Sequence, residues 1–106
     1  MPVKFGFQLW PQNTTWPAMR EAAQLADRIG IESVWTWDHF YALSGEEERP
    51  NLEAWSILAA IAAVTKRVRM GAMVSGITYR HPAVIANIAA TLDQISDGRA
   101  ICGIGA

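Results

Sequence analysis

Ser33-Val34-Trp35-Thr36-Trp37-Asp38-His39-Phe40 is the stretch whose reading decides the fold. Val34 to Trp37 are β-branched or aromatic, the types that fit a pleated and largely buried surface, so they predict a strand. The strand closes on an acid and an imidazole. Ligands of parallel α/β folds sit at the C-terminal ends of strands. A histidine there, titrating near neutral pH, can give or take a proton. The neighbouring carboxylate can orient it or meet a cofactor's polar edge. Successive side chains of an extended chain point to opposite sides, so Asp38 and His39 need not form a dyad. The plainer alternative makes Asp38 a turn cap and His39 a satisfied rim residue. These residues alone leave both readings open.

Upstream, Val3 to Leu9 alternates as a short strand and runs into the turn-rich Pro11-Gln12-Asn13-Thr14-Thr15. A helix follows. Thr14 or Thr15 can cap it, and Pro17 suits its first turn, where no amide partner is needed. Ala22, Leu25, Ala26 and Ile29 recur at helical spacing and predict its buried stripe. Gly30 stands where a left-handed C-terminal cap is wanted.

Downstream, a polar loop runs from Asp38 to Asn51. Its Glu46-Glu47-Glu48-Arg49-Pro50 run reads as a solvated turn or lid, with a substrate clamp as the alternative. Glu53 to Val64 predicts a second helix, with Trp55, Leu58, Ala59, Ala62 and Ala63 on its buried face. Lys66-Arg67 puts positive charge at that helix's negative pole. Val68 to Val74 is a third strand, Ser75 to His81 its exit loop. Pro82 opens a third helix striped by Ile85, Ile88, Ala89 and Leu92. Ser96-Asp97-Gly98 turns into a fourth strand, Arg99 to Ile104. The order β-α-β-α-β-α-β means a parallel sheet with right-handed crossovers. Spacing leaves an open doubly wound sheet and part of a (β/α)8 barrel as alternatives. An incomplete barrel would leave open edges at its first and fourth strands.

Composition narrows the function classes. Of 106 residues, 51% are apolar and 18% charged, and the net charge is -1 without a basic block. One globular domain over 1–106 is expected, with no nucleic-acid partner, no membrane span and a cytoplasmic location. The single cysteine, Cys102, lies in an apolar run and is expected to be a buried, inert thiol. Cys102, His39 and His81 have no metal-ligand spacing, so no metal is expected.

The remaining motifs are weaker. Gly103-Ile104-Gly105 lacks the third glycine and the helix of a dinucleotide fingerprint, and reads as a strand end at a turn or close approach. Arg80-His81-Pro82 offers an anion site at a helix start, but Arg80 reads more simply as a surface charge and His81 as a helix-opening residue. Neither a G-x-S-x-G elbow nor a P-loop is present.

Taken in order, several of these stretches resemble the bacterial-luciferase-like flavin and deazaflavin oxidoreductases, above all the branch using coenzyme F420. The stretches are Phe5-Gly6-Phe7-Gln8-Leu9-Trp10-Pro11, Ser33 to His39, Met70 to Val74, Thr78-Tyr79-Arg80-His81-Pro82-Ala83, Ala90 to Asp93, and Gly98-Arg99 through Gly105. The resemblance implies the N-terminal part of a (β/α)8 TIM barrel, stopping after the fourth strand, with cofactor at the C-terminal strand ends. It implies that Asp38 contacts the deazaflavin and that His39 is the proton donor or acceptor. It implies a bulge with a cis peptide near Met73-Val74, under the central ring, and an exit loop through Thr78 that approaches the cofactor. It further implies an oxidoreductase moving hydride between deazaflavin C5 and a small organic substrate. The alternatives are an FMN-dependent monooxygenase, and an inactive or partner-binding barrel fragment. A homodimer is compatible with either enzyme. The family draws its cofactor-tail site mostly from later strands, so these 106 residues alone are expected to bind cofactor poorly.

Overall fold

A computed structural model of the chain describes residues 2–45 and 48–106. The Glu46-Glu47 part of the acidic run lies outside them. The elements follow as β1 (Gly6–Gln8), α1 (Trp16–Ile29), β2 (Ser33–Thr36), α2 (Ala54–Val64), β3 (Arg69–Ala72), β4 (Ser75–Gly76), α3 (Pro82–Ser96), β5 (Ala100–Ile101) and β6 (Ile104–Gly105).

The main sheet is parallel, in the order β1-β2-β3-β5. Spatial order equals chain order. Right-handed crossovers then bring every helix to the same face, and α2 packs against both α1 and α3 there. A doubly wound sheet reverses direction at a switch point. This one does not, so the barrel-type arrangement is the one adopted. Val34, Met70 and Ala72 point from the sheet into a core filled by Met19, Ala23 and Ala26 of α1, Trp55, Leu58 and Ile61 of α2, and Leu92 of α3. Each large aliphatic side chain fully buried there contributes about 1.5–3 kcal/mol. Among the described residues, no helix is long and apolar enough to cross a membrane.

The helix signals act largely as read. Thr15 Oγ1 accepts the Ala18 N–H, Pro17 lies in the first turn, and Gly30 caps the C-terminus at φ 82°. His81 opens α3, its Nδ1 accepting the Ala83 N–H at 3.1 Å. The stripe predicted for α1 is partly corrected. Ala26 is buried, together with Met19 and Ala23, but Leu25 and Ile29 are exposed. Periodicity marks an apolar face, not which flank a neighbour covers, and α1 is covered on the α2 side. In α2, Ile57 and Ile61 join the core and Ala63 faces outward. Cys102 is exposed, not buried. It follows β5, which among the described residues is the edge strand of the sheet.

The predicted third strand, Val68 to Val74, ends early at Ala72 and a second short strand forms at Ser75–Gly76, within the stretch read as its exit loop, while the predicted fourth strand is broken in two. The third is interrupted at Met73-Val74, where the peptide is cis, and the fourth at Cys102-Gly103. Pairing resumes beyond both breaks, between β4 and β6. The bulged chain comes so close that a Cβ on Gly103 would stand 2.3 Å from the Ala72 carbonyl oxygen, and one on Gly105 would stand 2.5 Å from Val74 Cγ2. Those approaches account for Gly103-Ile104-Gly105 without any nucleotide.

At the opposite end of the sheet, arginines tie strand starts to helix ends. Arg67, just before β3, donates to the Asp27 and Arg28 carbonyls at the end of α1. Arg99, just before β5, donates to the Ala62 and Thr65 carbonyls at the end of α2, to Thr65 Oγ1 and to the Val68 and Ser96 carbonyls, at 2.6–3.0 Å. The cation serving the C-terminus of α2 is therefore Arg99, while Arg67 turns to α1. Neutral hydrogen bonds are worth about 0.5–1.5 kcal/mol each and charged ones more, so Arg99→Met is predicted to cost about 2–4 kcal/mol. Arg67→Met, at an exposed position, is predicted to cost about 0.5–1 kcal/mol. Urea unfolding of the two variants checks the order.

Candidate active site at the strand ends

Past Thr36 the chain leaves the sheet as Trp37-Asp38-His39. Asp38 is 3% exposed. A carboxylate buried that far must be paired. Ser75 Oγ donates to its Oδ2 at 2.8 Å, and the Arg80 guanidinium donates to both oxygens, the Oδ1 contact at 3.0 Å. The same guanidinium reaches Glu53 Oε1 at 2.6 Å. Glu53 in turn caps α2, accepting the Trp55 and Ser56 N–H groups. Trp55 Nε1 donates to Ser75 Oγ at 3.1 Å, which closes a ring of bonds through three chain segments.

This arrangement sets the charge states. Burial pushes the Asp38 carboxyl up, but the hydrogen bonds from Arg80 and Ser75 and the Arg80 charge outweigh it and hold it below the usual value. Glu53 behaves alike: burial raises it, and the bonds from Ser56 and Trp55 with the Arg80 charge bring it below its ordinary value. The bond to Asp38 is the main reason that Arg80 is held still more firmly protonated.

His39 stands outside this ring. It is exposed, and its backbone carbonyl accepts from Asn51 Nδ2. The loop behind it is anchored by Gln12, 4% exposed, whose Oε1 accepts the Leu43 N–H at 2.6 Å and whose Nε2 donates to Ser44 Oγ. Beside His39 opens a cleft of about 320 Å³, lined by Asp38, His39, Met73, Val74, Gly76, Thr78, Tyr79 and Ala106. The structure thus gathers His39, Asp38, Met73, Val74 and Thr78 in one place. Met73 and Val74 are half exposed and give the cleft an apolar wall. The Tyr79 ring lies on Gly76 and stacks on Phe40 at 4.5 Å between centroids.

Sequence reasoning did not find Arg80, Glu53, Ser75 and Gln12 in these parts. Arg80 is neither a free surface charge nor open to an anion: its side chain is 14% exposed and doubly paired. One sequence signal was available, an acid at the position before an apolar helix, where Glu53 caps. Nothing local ties Arg80 to a carboxylate on another strand.

Asp38 has a lower pKa folded than unfolded. Its contribution is therefore complete above the ordinary carboxylate value of 3.8 and is lost as pH falls through the folded value. Asp38→Asn is predicted to cost about 2–4 kcal/mol at neutral pH, since it leaves Arg80 with half its partners. That deficit should shrink on acidification, which urea unfolding from about pH 7 to about pH 2 reads directly.

Comparison with known proteins matches this geometry to a family. Residues 3–106 match the model of the luciferase-like monooxygenases. The F420-dependent glucose-6-phosphate dehydrogenase of Amycolatopsis mediterranei is 42% identical over 87 residues, covering 80% of this chain and 26% of that protein. The coenzyme F420-dependent tetrahydromethanopterin reductase of Methanopyrus kandleri superposes with a TM-score of 0.84 at 30% identity, over 99% of this chain and 27% of that one. The FMN complex of the oxygenating constituent of 3,6-diketocamphane monooxygenase from Pseudomonas putida superposes with a TM-score of 0.80 at 28% identity, over 100% of this chain and 30% of that one. The chain spans between a quarter and a third of the length of these proteins. Its sequence, its parallel barrel-type sheet and its matched span make it a member of the luciferase-like monooxygenase family, which has F420-dependent and FMN-dependent members.

Proposed function

We propose that the cleft beside His39 is part of the active site of an F420-dependent oxidoreductase acting on a small organic substrate. The observation that carries this reading is the meeting of an exposed imidazole, His39, with the apolar pair Met73-Val74 in one cleft at the strand ends. A planar ring system asks for apolar contact with a few directed polar groups. The residues present fit that demand. Met73 and Val74 offer the apolar surface, and Thr78 and His39 the polar groups. When bound, the deazaflavin supplies hydride transfer at its C5. His39 holds or releases the accompanying proton at an imidazole nitrogen, free to do so because its side chain is exposed and its backbone is fixed by Asn51. Asp38 borders the cleft, its buried carboxylate held by Ser75 and Arg80, and would stand behind the cofactor's polar edge. The F420-dependent relatives favour this cofactor. The FMN-bound Pseudomonas relative supports the second reading, an FMN-dependent monooxygenase.

Titrating the chain with F420 and with FMN separates the two. Its cleft draws on only part of an eight-stranded barrel's loops, so F420 is expected to bind more weakly than micromolar, yet more tightly than FMN. At saturation the imidazole resonances of His39 should move, and those of His81, bonded to the Ala83 amide, should stay. Tighter binding of FMN overturns the F420 reading, and a His39 signal that ignores both cofactors overturns the site.

A further inference from the structure

We propose that Arg80 is a positioning residue of the cleft, setting both the loop that lines it and the adjoining His39 through their shared anchor, Asp38. The inference rests on the reading of the cleft given above for what the positioned groups serve, but its geometry stands independently. Ser75 and Arg80 are the two ends of the loop 75–80, and both are bonded to the same carboxylate. Between those fixed ends lie Gly76, Thr78 and Tyr79, the loop residues that line the cleft. Asp38 is joined covalently to His39, so one carboxylate fixes the loop and the histidine relative to each other.

Arginine suits this place for a physical reason. Its planar fork meets both Asp38 oxygens and still has a donor for Glu53. Through Glu53 and Trp55 the anchor extends to the N-terminus of α2, a core helix. The first half of the loop is also held by β6, the Ser75 and Ile77 N–H groups donating to the Gly103 and Gly105 carbonyls, whereas past Ile77 the further contacts are the Tyr79 N–H to the Gly76 carbonyl and the Tyr79 ring on Gly76 and Phe40. Loss of Arg80 would leave the Ser75 end of the loop bonded to Asp38 and the other end held by the start of α3 alone. The stacked Phe40–Tyr79 pair spans from the chain just after His39 to this loop, so its ring-current shifts report their relative placement.

The experiment compares wild type, Arg80→Lys, Arg80→Met and the double variant Asp38→Asn/Arg80→Met by NMR and urea unfolding, without cofactor. Arg80→Met should lower the unfolding midpoint and displace the Phe40, Tyr79 and His39 side-chain resonances from their wild-type values as the Phe40–Tyr79 stack loosens. Arg80→Lys, a charge without the fork, should restore the midpoint more than the resonances. The double variant removes the unpaired buried charge, so it should recover most of the midpoint while its Phe40, Tyr79 and His39 resonances stay displaced. If Arg80→Met alone does not fold, the double variant decides. Wild-type resonances in the double variant would reduce Arg80 to charge compensation and overturn the proposal. Failure of wild type to bind either cofactor would overturn the functional reading alone, because these spectra need no ligand.

Discussion

The ionised carboxylate of Asp38, buried at the end of β2, is the constraint on which the upper half of the molecule depends. A charge at 3% exposure is tolerable only when it is compensated. The compensation recruits Arg80 and Ser75 from the far side of the β3–β4 bulge, and Glu53 and Trp55 from the start of α2. Solving one desolvation problem thus ties together a strand end, an exit loop and a helix start. The cleft is what remains open beside that knot.

The polar bonds at the two ends of the sheet differ in what they hold. At the lower end Arg67 and Arg99 each lead into a strand and reach back to the closing carbonyls of an earlier helix, α1 and α2 respectively. Asp27 completes the pattern by accepting the Lys66, Arg67 and Val68 amides. The arginine bonds satisfy carbonyls that a helix end leaves without partners. At the upper end the polar bonds place side chains that then face open space: His39, Thr78 and Tyr79.

What was legible in the sequence follows the range of the forces involved. Thr15, Pro17 and Gly30 act on their own helix, and each marks its boundary where the local signal puts it. Strand and helix order was readable from periodicity, and so was the strand end carrying Asp38-His39. The choice between a barrel segment and a doubly wound sheet was not, because it depends on which strands become neighbours. Leu25 and Ile29 show the same limit: their spacing is helical, but burial depends on what covers that flank, and nothing described here does. Arg80 was misjudged because its partners lie 27 and 42 residues away, and the role of Arg99 went unread because most of its partners lie 31 to 37 residues away. The two glycines near the C-terminus looked like a weak nucleotide motif, and a bulge on the adjacent strand explains them.

The most direct test of the account is a crystal structure of the chain soaked in F420 at high concentration. The account predicts the deazaflavin ring against Met73 and Val74, with the His39 imidazole beside it and the Asp38–Arg80 pair intact. A ring bound away from this cleft, for example in the groove between the ends of α1 and α2 lined by Asp27, Lys66 and Arg67, would contradict it.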